Sequence, residues 1–285
     1  MTKIADTNVL PFSTQFSVDR EDILRLLDYQ RWLVEGNVHE KIRNCPFPPS
    51  SLWNKWAMAT FIGFSGDAVL SVSGHCFTTT LQFPQKTLWR KIQRRRLWNM
   101  PYRKKFTELY PPAPFDTVLE QQDHITFWRI MEAVAQSGVT SVDNLLEIGA
   151  GAGLHVAYRN PKTATIIDLP ETVPVGFLFL SQFYDDIALP NENHEAKLKF
   201  LLPHQKLEGE FDFCFSSLSF QEMDLPVVKK YLELFQQHVT NDGKIQLIQA
   251  KKGRCCADVP LYADHWEETP FLNWMTGVEH CNILL

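Results

Sequence analysis

Nine residues, Leu145 to Gly153, read LLEIGAGAG, and the architecture of the chain follows from them. A short apolar run ends in Gly149, Gly151 and Gly153, the pattern of a buried strand that breaks into a tight loop. Glycines at such a bend let the backbone turn sharply and let a ligand approach closely, because no side chain intervenes. The stretch departs from the dinucleotide fingerprint G-x-G-x-x-G, which needs Gly or Ala where this chain has Leu154.

Downstream, short apolar runs alternate with helical ones in the βαβ manner that produces a parallel sheet. VDNLLEIG is the first strand of this series, ATIIDLP the second, KLKFLLP the third, FDFCFSSLS the fourth and KIQLIQA the fifth. The clearest helix, Leu225 to Val239, lies between the last two, with Asp224 as its cap, Pro226 in its first turn and Asn241-Asp242-Gly243 closing it. Its stripe of Val228, Tyr231, Leu232 and Phe235 is expected to face the sheet.

Upstream, Val118 to Ala135 reads as a helix leading into the first of these strands, and Pro111, Pro112 and Pro114 mark a boundary near residue 110. Residues 18–44 carry a helical pattern preceded by Ser17 and stopped by the prolines from Pro46 to Pro49. The stretch SGDAVLSVSGHCFTTTLQF alternates as a hairpin would, with turns at Gly66-Asp67 and Gly74-His75. Two units are therefore expected, a mainly helical or mixed region over 1–110 and an α/β domain over 111–285.

Composition narrows the function classes. With 285 residues and 45% of them apolar, the chain can bury about three-quarters of its unfolded surface, so disordered and fibrous architectures are excluded. A formal charge of −5 gives no global case for binding nucleic acid or an anionic membrane. The charge is uneven, however: nine basic residues and no acidic one fall between Lys86 and Lys105. That stretch reads as a solvated basic face, or as a surface in which Trp89, Trp98 and Tyr102 interleave with cations to hold a phosphorylated sugar or RNA. The six cysteines are scattered without zinc-finger spacing, MTKIADTNVLPFS lacks the continuous apolar stretch expected of a secretory signal, and no uncharged apolar run approaches roughly 18 residues. Reduced thiols, a cytoplasmic location and no membrane span are the expectations.

The acidic residues sharpen the reading of the glycine loop. Glu147, two residues before the first glycine, would repel a pyrophosphate but not a cofactor that carries an ammonium and a sulfonium. S-adenosylmethionine is such a cofactor. Asp168 ends the second strand, where a carboxylate can accept hydrogen bonds from both ribose hydroxyls.

With E-x-G-x-G-x-G, the acidic end of the second strand and this order of elements, the chain resembles the class I S-adenosylmethionine-dependent methyltransferases. More narrowly, LLEIGAGAG, IIDLPET and FSSLSFQEM look like the sugar O-methyltransferase family. The resemblance implies a Rossmann-like, mostly parallel sheet of the class I methyltransferase type that ends in an antiparallel strand, which HCNILL begins to supply. It also implies that Glu147, Gly149, Ala150, Gly151 and Gly153 surround the methionine end of the cofactor. Asp168 and Leu169 would lie at the ribose, His204 and Gln205 near the adenine, and Ser216 beside them. Class I enzymes often have an acidic residue after the third strand, where this chain has Pro203-His204-Gln205.

Methyl transfer to a hydroxyl is an in-line displacement that gains from alignment, desolvation and a nearby proton acceptor. Glu222 and His265 are the candidates for that acceptor, and Ser219 and Gln221 for acceptor binding. Glu222 equally suits the first turn of the helix after the fourth strand, His265 equally suits a packing role beside Trp266, and His155 reads as an ordinary helix residue. No metal site is expected. The acceptor is expected to be a small molecule or a glycan intermediate, with residues 1–110 covering its pocket. An RNA methyltransferase, an NAD-dependent oxidoreductase and a non-catalytic cofactor-binding module are the alternatives. Leu154 and Glu147 count against the oxidoreductase.

Overall fold

The computed structural model describes residues 20–50, 61–65, 68–73, 133–134, 136–181, 183–250, 267–271 and 280–284. Two helices come first, α1 (Arg20–Glu35) and α2 (Val38–Arg43), followed by an antiparallel pair, β1 (Phe61–Ser65) and β2 (Ala68–Ser73). The remaining strands form one eight-stranded sheet. They are β3 (Asn144–Ile148), β4 (Thr163–Ile167), β5 (Ile187–Ala188), β6 (Leu198–Leu201), β7 (Phe211–Ser217), β8 (Val239–Ala250), β9 (Glu267–Phe271) and β10 (His280–Leu284). Helices α3 (Leu154–Arg159), α4 (Val173–Leu180) and α5 (Leu225–His238) connect them.

The sheet order is β5-β6-β4-β3-β7-β8-β10-β9. Strands β5 to β8 pair in parallel, while β10 runs antiparallel to both β8 and β9. This is the Rossmann-like, mostly parallel architecture of the class I methyltransferase type expected from the sequence, with HCNILL supplying the antiparallel strand. From β3 the chain passes to β4 on one side and later to β7 on the other. The order thus reverses at the carboxyl end of β3, and that reversal is where open α/β sheets form a crevice for ligands.

Alternation along the strands divides the core into two layers. Leu145, Phe213, Phe215 and Ile248 pack with α1, α3 and α4, whereas Leu146, Ile148, Cys214 and Leu247 pack with α5. All eight residues of α4 are buried, as suits a helix with no polar face, because α1 covers the side that the sheet does not. The α5 stripe faces the sheet as expected, with Val227, Val228, Tyr231, Leu232 and Phe235 buried.

Several expectations are corrected. The helical pattern over 18–44 is two helices, because Asn37 adopts φ 47 and a side chain at Gly36 would press on the Trp32 carbonyl at 2.8 Å. Asn241-Asp242-Gly243 lies within β8 instead of closing α5. The register slips between Phe211↔Val239 and Phe213↔Lys244, so the triplet forms an irregularity in the strand. Residues 133–134 and 136–137 are helical and Gly138 follows with φ 65. Helical structure is thus found up to Ser137, two residues beyond the expected end at Ala135, while the rest of the expected helix lies outside the described residues. Ser65 pairs with Ala68, as a hairpin there requires, while the expected turn residues Gly66-Asp67 and Gly74-His75 lie outside the described residues. Strands β5 and β9 were not foreseen.

Candidate active site

The loop after β3 is built on three left-handed glycines, Gly149 (φ 71), Gly151 (φ 59) and Gly153 (φ 79). Their surroundings differ. A side chain on Gly149 would collide with the Ser219 hydroxyl, and one on Gly153 would collide with Leu180 of α4. Among the described residues, a Cβ on Gly151 would meet nothing within 4 Å. The loop is therefore sealed at both ends and open at its middle, which is the space a close-lying ligand requires. Ala150 and Ala152 are half-buried against the core between these positions.

Asp168 follows the last residue of β4 and joins this loop. One carboxylate oxygen accepts the Gly151 N–H at 2.9 Å and the other accepts the Leu169 N–H at 2.7 Å. Burial pushes the Asp168 carboxyl up to about 7, against the opposing pull of those amides and of the Thr172 side chain. Leu169 stands half-buried beside it, and its carbonyl accepts the Thr172 and Val173 amides that open α4.

Glu147 lies near the end of β3 before the loop, only 2% exposed, and its Oε2 has no hydrogen-bond partner among the described residues. Burial raises its carboxyl well above the usual range, and the neighbouring Asp168 charge adds to this while Arg159 opposes it. Beneath it, His155 of α3 is completely buried. The ring stacks on Phe215 with centroids 3.6 Å apart, and its Nε2 accepts the Arg159 Nε–H at 3.0 Å. Arg159 also donates to the Val139 carbonyl and the Ser137 hydroxyl, and lies over the Phe213 ring.

At the end of β7 the chain turns through Leu218, whose φ of 62 is unusual for a bulky residue. That turn delivers the Ser219 hydroxyl to the Gly149 carbonyl at 2.8 Å. Ser216, one strand step earlier, is buried and donates to the Ile148 carbonyl at 3.0 Å. Gln221 and Glu222 occupy a single 3₁₀ turn, Phe220–Glu222, and are half-buried.

One strand beyond β4, Gln205 donates to the Pro190 carbonyl and accepts the Leu202 N–H, both at 2.8 Å. Its amide braces the loops after β5 and β6. His204 beside it holds a buried Nδ1 without a hydrogen-bond partner among the described residues, and burial followed by the Lys41 charge lowers its pKa. Glu147, the glycines, Asp168, Leu169, Ser216 and Ser219 thus meet at the carboxyl ends of β3, β4 and β7. His204 and Gln205 border them at β6, and His265 lies outside the described residues.

The helices before the sheet contribute to this edge. The buried Tyr29 hydroxyl donates to the Pro170 carbonyl at 3.2 Å, His39 stands 3.4 Å from Glu171, and Phe47 stacks on Tyr231 of α5. The Arg25 guanidinium clamps Glu192 at 2.8 and 2.7 Å and also donates to the Ile187 carbonyl. Residues 20–50 therefore run from the α4 side to the α5 side past the carboxyl end of β4. Sequence reading did not foresee the roles of His155, Arg159 or Tyr29. The i, i+4 spacing of His155 and Arg159 was the one available signal. The basic stretch 86–105 lies outside the described residues. Among the described residues, no helix is long and apolar enough to cross a membrane, and no group of His, Cys, Asp and Glu side chains is arranged to hold a metal.

No family model and no curated protein matches the chain. Among solved structures, the glycopeptide N-methyltransferase MtfA complexed with S-adenosyl-L-methionine aligns at 13% identity and a TM-score of 0.42, over 55% of this chain and 92% of that one. The N-methyltransferase NodS from Bradyrhizobium japonicum, in complex with S-adenosyl-L-homocysteine, aligns at 13% identity and a TM-score of 0.42, over 64% of this chain and 96% of that one. Likenesses this distant carry no argument about ligand or reaction. The Rossmann-like assignment rests on the strand order itself.

Proposed function

We propose that this chain is an S-adenosylmethionine-dependent methyltransferase whose acceptor is a hydroxyl on a sugar or glycan intermediate. The observation that carries the cofactor reading is the Gly151–Asp168 pair. A left-handed glycine, open among the described residues, and a buried carboxylate are bonded to each other at the point where the strand order reverses. Glu147 adds a second buried carboxylate within the electrostatic reach of the first. Such a pair favours a ligand bearing cationic groups and disfavours a pyrophosphate.

The residues present suit that cofactor. Asp168 would hold the ribose, Glu147 the ammonium of the methionine part, and the loop from Gly149 to Gly153 would lie along the chain between them. His204 would border the base. When bound, the cofactor supplies a methyl group on a positively charged sulfur. The protein's share is to align the acceptor oxygen, exclude water and take up the hydroxyl proton. Ser219 and Gln221, after β7, would orient the acceptor. Glu222, and His265 further along the chain, are the candidates to receive the proton. The narrower hydroxyl and sugar assignment is supported by the likeness of LLEIGAGAG, IIDLPET and FSSLSFQEM to sugar O-methyltransferases.

Side-by-side titration with S-adenosylmethionine and NADH tests the cofactor reading, which requires binding of the first alone. Transfer of a labelled methyl group to sugar, amine and RNA acceptors tests the rest. Label on an amine or on RNA, with none on hydroxyls, would refute the acceptor assignment. Binding without transfer to any acceptor would mark a non-catalytic module.

A further inference from the structure

His155 is completely enclosed, so it cannot touch a ligand, yet its surroundings fix its chemistry. Arg159 has only donors, and its Nε–H points to His155 Nε2 at 3.0 Å. That nitrogen must therefore be an unprotonated acceptor, and the neutral ring must carry its proton on Nδ1. Nδ1 in turn faces Glu147 Oε2 at 3.5 Å, too long for an ordinary N–H···O bond. Both atoms are buried and, among the described residues, neither has another hydrogen-bond partner. A buried donor and a buried acceptor, each unsatisfied and facing the other, mark a contact that is poised and not yet closed.

The rest of the network leaves His155 little freedom. The ring is stacked on Phe215, while Arg159 is held over Phe213 and tied to Ser137 and Val139. Glu147 Oε2, by contrast, is held by no hydrogen bond among the described residues. We propose that His155 is a positioning residue that aims the Glu147 carboxylate at the ammonium group of the bound cofactor, with Arg159 selecting the tautomer able to do so. An ammonium drawing Glu147 into its ionised form would strengthen the bond from Nδ1–H, as charged acceptors do. This inference rests on the cofactor reading above and assigns a selective part of it, recognition of the amino-acid end and not of the nucleoside.

Two ligands separate these parts. S-adenosylhomocysteine carries the amino-acid end, and 5′-methylthioadenosine lacks it. His155→Asn places an amide nitrogen near the position of Nδ1, whereas His155→Gln reaches the position of Nε2 and keeps only the contact with Arg159. Calorimetry should show His155→Gln losing about tenfold in affinity for S-adenosylhomocysteine with 5′-methylthioadenosine unchanged, and His155→Asn recovering most of that loss. Equal losses for both ligands, or no loss for either, would overturn the proposal. If wild-type protein binds neither ligand, the cofactor reading fails and this inference with it. Should the variants not fold, long-range nitrogen–proton NMR of the wild type decides the matter. A neutral His155 protonated on Nδ1 is expected, and a proton on Nε2 would refute the assignment.

Discussion

The Asp168 carboxylate accepts the Gly151 amide at 2.9 Å, so the acidic end of β4 and the glycine loop after β3 form one unit. A ligand seated there must meet both at once. Removing the carboxylate should therefore affect the loop as well as the ribose contact. Asp168→Ala is expected to weaken S-adenosylhomocysteine binding by about 1 to 3 kcal/mol, the range for hydrogen bonds to a charged group. Asp168→Asn should lose less, because its amide oxygen can still accept from Gly151. Calorimetric affinities in the order wild type, Asn, Ala check this, and equal affinities would remove Asp168 from the site.

The three glycines should not respond alike. Gly149→Ala forces a left-handed alanine into the Ser219 hydroxyl and should destabilise the fold by about 2 kcal/mol or more, combining backbone strain with overpacking. Gly151→Ala meets no neighbour among the described residues and should cost only about 1 to 2 kcal/mol of strain, while filling the space assigned to the ligand. Denaturant midpoints and cofactor affinity, measured on the same two variants, should rank them in opposite orders. A Gly151→Ala protein that binds the cofactor like the wild type would contradict the site.

The acidic pair also predicts how stability depends on pH. A carboxyl whose folded pKa is raised holds its proton in the native state when the unfolded chain has already released it. Its contribution is thus greatest below the unfolded value and is lost as pH rises through the folded one. For Asp168 that window runs from about 4 to about 7, and Glu147 acts in the same direction. The melting temperature of the ligand-free protein should fall across this window, and Asp168→Asn should flatten the slope. A cationic ligand favours the ionised pair, so cofactor affinity should strengthen as pH rises toward 7. A melting temperature indifferent to Asp168→Asn across the window would refute the buried, raised carboxyl.

Much of this organisation is legible in the sequence, and the reasons it stops are physical. The glycine spacing and Asp168 stand out because backbone conformation and a strand-end carboxylate leave local signatures. The α5 stripe stands out because helical periodicity does. Polar residues after strands are harder: nothing local in Ser216 and Gln205 announces the hydrogen bonds they make to the Ile148 and Pro190 carbonyls. His155 looked ordinary because its partners, Glu147 and Phe215, come from other elements. Asn241-Asp242-Gly243 has the chemistry of a turn, but pairing of Lys244 with Phe213 draws it into β8. Tertiary pairing overrides the local signal in each of these cases.

The N-terminal helices should behave as part of the fold. Arg25 makes a two-pronged contact with Glu192 and a further bond to the Ile187 carbonyl, a geometry that lysine cannot reproduce. The ion pair is partly exposed, so Arg25→Lys should cost about 1 kcal/mol, measurable as a lower urea midpoint with unchanged slope. An unchanged midpoint would show that the clamp does not secure α1.

A crystal structure with S-adenosylhomocysteine puts the whole account to trial. The ribose should lie within hydrogen-bonding distance of Asp168, the backbone of Gly151 should run directly against the ligand, and the amino group should approach Glu147. Ligand bound elsewhere, or side chains of the protein occupying the space beside Gly151, would contradict it.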